Sequence, residues 1–162
     1  MFTEKTTLEE AKVMLWDGVK GGTRCPCCNR WAQSYWRTIN KTMARGLWWL
    51  ANVGAVEPSE YLQPLNYVDI TKGPAWLLRS NQLATLRWWK LVERMPNDDP
   101  SKKHSGMWRV TTLGVKFLSG DSSVPRRVCT LFGNVVAVSD YDDWIDAHDI
   151  KHHFDYSEVM GK

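Results

Sequence analysis

Between residues 86 and 119 the chain reads LRWWKLVERMPNDDPSKKHSGMWRVTTLGVKFLS, an order of local patterns that few folds accommodate. Leu83 and Leu86 give a helix its buried side, and Leu91 to Met95 reads as the first strand of a hairpin. Asn97, Asp98, Asp99 and Pro100 form turns, because short polar side chains bond their own backbone and the proline ring presets φ. Ser101 to Gly106 makes a polar tip, and Met107 to Thr111 alternates well enough for the returning strand. Thr112 then caps a helix whose Val115 and Leu118 share one face. The expected product is a long-looped hairpin carried between two helices.

A chain of 162 residues is the size of one domain, and such a domain buries roughly 68–70% of its unfolded surface, so a core is expected without covalent staples. Ten tryptophans exceed what that core needs. The pairs Trp48–Trp49 and Trp88–Trp89 cannot both face inward on one helix, which puts some indole at a rim or an interface. The longest apolar run, Gly46 to Val56 broken by Asn52, is too short to span a bilayer, and no basic-then-apolar leader opens the chain. A soluble, intracellular protein with no membrane partner is the expectation. In a reducing compartment the four cysteines, three of them at positions 25, 27 and 28, are free thiols or ligands.

The net charge of +3 is unevenly distributed. From Gly18 to Val56 there is no acidic residue, while Lys20, Arg24, Arg30, Arg37, Lys41 and Arg45 are basic. The last segment inverts this, with Asp140, Asp142, Asp143, Asp146, Asp149, Asp155 and Glu158 against Lys151 and Lys162. One part suits a polyanion and the other repels it.

Three segments of a single domain follow from the patterning. Residues 1–36 hold a helix opened by Thr6 or Thr7 with Glu9 or Glu10, ended by Gly18, and then a cysteine knuckle. Residues 37–120 begin with a helix from Arg37 to Val53 carrying Ile39, Met43, Leu47 and Leu50 at helical spacing. A connection over 58–64, a short strand at Tyr67 to Ile70, and two short helices set by Gly73-Pro74 and by Asn81 as a cap lead into the hairpin. Residues 121–162 hold a hairpin around Gly133-Asn134, an acidic helix capped by Ser139 or Asp140, and a last turn over Phe154 to Met160. The fold class is α+β with a winged-helix core.

The central segment resembles the winged-helix regulators of the MarR type, whose Leu-Val-Glu-Arg, acidic loop and Val-x-Leu-Thr-x-x-Gly pattern is nearly spelled at Leu91 to Gly114. It departs at Lys90, where that pattern carries a glycine. Cys25 to Cys28, Met43-Ala44-Arg45, Trp108-Arg109-Val110-Thr111 with Gly114 and Phe117, Val124-Pro125 and Phe154-Asp155-Tyr156 recur together elsewhere. That set is similar to a family of small bacteriophage and mobile-element proteins with no assigned activity, and the resemblance implies action in the cytoplasm of a bacterial cell.

Double-stranded DNA is the first partner expected. Arg87, Arg94, Lys102, Lys103, His104 and Arg109 surround the second short helix and the hairpin, where phosphates would lie. Arg79, Asn81, Gln82 and Thr85 are residue types that read base edges, although Asn and Ser also simply cap helices, and Asp98 and Asp99 oppose a phosphate at the tip. A host protein is the alternative, held through Asp140, Asp142, Asp143 and Asp146. Cys25 and Cys28 have the spacing of half a zinc site, the other half left to Cys27, Cys129 and the scattered His104, His148, His152 and His153; the plainer reading is small thiols in a turn. With no Gly-rich phosphate loop and no nucleophile context, the chain is read as working by binding and not as an enzyme.

Overall fold

The computed structural model describes residues 3–55, 65–150 and 155–161. The connection expected over 58–64, the His152–His153 pair and Phe154 lie outside them. In chain order the elements are α1 (Leu8–Gly18), β1 (Thr23–Arg24), β2 (Trp31–Ala32), β3 (Tyr35–Thr38), α2 (Lys41–Val53), β4 (Val68–Asp69), a 3-10 turn at Ile70–Lys72 and α3 (Ala75–Ser80). A 3-10 helix at Leu83–Trp89 leads to β5 (Val92–Arg94), β6 (Met107–Val110), α4 (Thr112–Ser119) and β7 (Val124–Pro125). Then come β8 (Arg127–Leu131), β9 (Asn134–Val138), β10 (Trp144–Ile145) between two 3-10 turns, and α5 (Tyr156–Met160). The chain is α+β.

It divides into two compact units, each discontinuous. One holds the residues up to Thr38 with Arg127–Ser139; the other holds Ile39–Arg126 and the residues from Asp140 onward. The segments read from sequence regroup because Tyr35 to Thr38 form a strand that takes up the hairpin, Tyr35 opposite Thr130 and Thr38 opposite Arg127. Arg37 therefore lies in β3 and not in the first helix of the central segment, which starts four residues later behind the Asn40 cap, where the Asn40 carboxamide oxygen accepts from Met43 N at 2.8 Å.

In the first unit α1 opens with the expected capping box: Thr7 Oγ1 accepts from Glu10 N at 3.2 Å and Glu10 Oε2 from Thr7 N at 2.8 Å. One of its buried clusters is Val19, Ala32 and Leu131 with Leu15 against them, and Val128 and Cys129 of β8 are buried as well. β3, β8 and β9 form an antiparallel sheet with β8 in the centre. The β8–β9 turn falls one residue earlier than Gly133-Asn134: Phe132 and Gly133 have φ of 52° and 77°, the left-handed pair that a two-residue hairpin requires.

In the second unit β6 lies between β4 and β5 in an antiparallel sheet. α2 packs on the 3-10 helix, β6, α4 and α5, burying Met43, Leu47 and Leu50. Trp49, Trp89 and Trp108 are buried as the alternation implies, whereas their neighbours Trp48 and Trp88 reach the rim. Thr111, one residue before the expected Thr112, caps α4 by accepting from Gly114 N at 3.0 Å. A Cβ on Gly114 would stand 2.4 Å from the Leu91 carbonyl oxygen, so only glycine lets α4 approach this closely.

Two expected features change. Asn81 caps no following helix: it ends α3 in the left-handed conformation, leaving only Gln82 before the 3-10 helix. The acidic helix is instead two single 3-10 turns, Tyr141–Asp143 and Ala147–Asp149, because Trp144 and Ile145 between them pair with Val124 and Pro125 as strands.

Lys90 sits where the resembled pattern has glycine, and it adopts the conformation glycine would, with φ 60° and ψ 25°. A left-handed residue with a Cβ costs about 1–2 kcal/mol. Lys90→Gly is expected to raise unfolding free energy by up to about 1 kcal/mol, net of glycine's greater unfolded entropy, in urea titrations. Lys90→Val should lower it, and a stability order with Val above Gly would contradict the assigned backbone.

Candidate nucleic-acid interface

Beside the hairpin of the second unit, Arg87, Lys90, Val92, Glu93, Arg94, Trp108 and Thr111 line a hollow of about 410 Å³. The left-handed turn at Lys90 brings the end of the 3-10 helix to the start of β5, and Thr111 Oγ1 fastens it by donating to Lys90 O at 2.6 Å. Arg94 lies opposite Trp108 in the β5–β6 register, and its guanidinium is 5.7 Å from the indole centroid. Arg87 reaches over Trp88 at 4.8 Å and donates to Ala84 O at 3.0 Å. Glu93, the one carboxylate of the hollow, is bound by Arg109, whose guanidinium also covers Tyr67 at 4.5 Å. Arg87, Lys90 and Arg94 thus place three cationic side chains beside Val92 and Trp108 in the hollow, an arrangement suited to a phosphate or another anion.

Of the residues expected to touch bases, Gln82 and Thr85 are engaged locally, while Arg79 and Asn81 are exposed. Gln82 Oε1 accepts from Asn40 Nδ2 at 3.0 Å, and Thr85 Oγ1 donates to Gln82 O. Arg79 is exposed on α3, and Asn81 serves as its end. Lys102 and Lys103 stand exposed at the hairpin tip, where Asp98 and Asp99 offset their charge. The Ser101 hydroxyl and then its amide hold the Asp99 carboxyl below its usual range. His104 Nδ1 is 2.9 Å from Arg94 Nη1, tying the tip's base to the hollow. Cationic density therefore sits at the hairpin base, and Lys90, which sequence reasoning met only as a missing glycine, is one of its members.

The cysteine knuckle joins β1 to β2. Cys25 N donates to Arg30 O at 2.8 Å, Asn29 N to Cys25 O at 2.9 Å, and Asn29 takes the left-handed conformation with φ 59°. Backbone amides of Cys28 and Cys27 point at the Cys25 sulfur and pull its pKa below the ordinary thiol value. Cys28 is exposed, and among the described residues no three His, Cys, Asp or Glu side chains gather as a metal site.

Of the four carboxylates expected to meet a partner, Asp143 accepts from Arg126 Nε at 3.1 Å and Asp146 caps the second 3-10 turn, accepting from His148 N at 2.7 Å. Asp140 and Asp142 are exposed on either side of Tyr141, itself 80% exposed. No described helix is long and apolar enough to cross a membrane. Comparison with family models, with curated proteins and with solved structures finds no match to this chain.

Proposed function

We propose that the protein acts by binding and not by catalysis, and that its second unit is a winged helix that grips the backbone of double-stranded DNA. The convergence of Arg87, Lys90 and Arg94 on one hollow at the hairpin base carries this reading. Its frame is the element order α2, β4, α3, 3-10 helix, β5, β6 with strand order β4-β6-β5, in which the second short helix and hairpin face the duplex. Gln82 and Thr85 are held by local hydrogen bonds, so the contact is with phosphates more than with base edges, and sequence discrimination is weak. Together with the resemblance to bacteriophage and mobile-element proteins, the role is that of a small DNA-associated regulator inside a bacterial cell.

A second reading, capture of a basic host protein, is favoured by Tyr141 standing exposed between Asp140 and Asp142. Affinity capture from bacterial lysate, with and without nuclease, separates the two. The DNA reading expects co-purified nucleic acid that nuclease removes. A nuclease-resistant protein partner lost on changing Asp140 and Asp142 to Asn would replace it with the second reading.

A further inference from the structure

The first unit carries its own constellation of rings and cations. Trp31 is 52% exposed, Tyr35 47% and Phe132 49%. Rings that show this much apolar face while keeping a polar handle suit an interface. They are also held in place. Trp31 Nε1 and Tyr35 Oη both donate to Gln33 Oε1, at 3.1 and 3.2 Å, so one oxygen fixes two neighbouring rings. The Trp31 indole rests on Gly22, where a Cβ would come within 2.1 Å of it.

Each ring has an arginine at its face. Arg24 lies 5.8 Å from the Trp31 centroid, Arg37 5.7 Å from Tyr35 and Arg30 6.0 Å from Phe132. Arg37 Nε also donates to Thr130 Oγ1 at 3.1 Å, which anchors it on the sheet. Residues 18–38 and 127–139 contain no Asp or Glu. Phe132 occupies a left-handed turn position, φ 52°, that Asn or Gly would fill at lower cost, which points to a use for its ring.

We infer that this surface binds single-stranded nucleic acid, with bases stacking on Trp31 and Tyr35, Phe132 extending the row, and Arg24, Arg30 and Arg37 meeting the phosphates. Rigid rings interleaved with cations suit that ligand, because every base offers a π face and the phosphates supply the opposite charge. The site is separate from the duplex-binding hollow of the second unit and does not depend on it.

The test titrates the full chain with a fluorescein-labelled 12-nucleotide oligo(dT) and with an abasic oligomer of equal length. Wild type should bind oligo(dT) with quenching of Trp fluorescence, and the abasic oligomer more weakly. Trp31→Ala and Tyr35→Ala should each weaken oligo(dT) binding about 5- to 150-fold, the range for loss of one stacked base. Trp31→Phe should lose less, and unaltered far-ultraviolet circular dichroism would show that the fold persists. Arg24→Gln with Arg37→Gln, which keeps the rings, should flatten the salt dependence, so the inference remains testable should an alanine variant misfold. Replacing Arg87, Lys90 and Arg94 in the other unit should lower oligo(dT) affinity less than either ring variant does. Equal affinity for the abasic oligomer, no oligo(dT) binding at 50 mM salt, or loss of binding only on changing the second-unit cations would each overturn the inference.

Discussion

Phe117→Ala is expected to destabilise the protein by about 3–5 kcal/mol, the usual cost of emptying a buried phenylalanine site. Phe117 is fully buried on α4 beside Leu118, and α4 packs against α2 and β6. The void cannot close by sinking the helix, because Gly114 already brings α4 to the limit of approach to the Leu91 carbonyl. Against a total stability of roughly 5–15 kcal/mol for a domain, the loss should shift the urea midpoint steeply or leave the second unit unfolded. A variant whose midpoint stays near wild type would place the core of this unit elsewhere.

The legible parts of the fold were those fixed by local chemistry. Thr7 with Glu10, the apolar ladder of Met43, Leu47 and Leu50, the alternation around Trp108, and the turn residues between β5 and β6 each act within a few positions, so sequence spacing predicts them, whereas Ile39, read as a ladder member, lies ahead of the Asn40 cap. Pairing between distant segments was not legible in the same way. Arg37 and Thr38 read as the start of a helix by their neighbours and become part of a strand because β8, about ninety residues on, offers Tyr35 to Thr38 a partner. The acidic segment has caps and helix formers, yet two residues, Trp144 and Ile145, are drawn into pairing with β7 and divide it. Lys90 belongs to the same class: the resembled pattern pointed to a glycine, and the backbone kept glycine's conformation while the side chain added a cation to the hollow. Trp31 and Tyr35 had one signal in sequence, the long acid-free stretch combined with an excess of tryptophan, but not their common anchor at Gln33.

The hollow at the hairpin base makes the largest functional demand. Each phosphate neutralised by a cation adds about −0.9 to the slope of log affinity against log salt. Changing Arg87 and Arg94 to Gln and Lys90 to Gly should therefore reduce that slope by up to roughly 2.7 units; glutamine keeps part of each arginine stem, and glycine suits the left-handed turn. Lys102→Ala with Lys103→Ala should reduce it less, because Asp98 and Asp99 already offset the tip. The decisive measurement is fluorescence anisotropy of a 20-base-pair duplex titrated with the wild-type chain and the three-site variant between 50 and 200 mM salt. Wild-type binding should weaken linearly on logarithmic axes, with a slope cut most by the three-site variant. Absence of duplex binding at 50 mM salt, or a slope unchanged in that variant, would contradict the DNA reading.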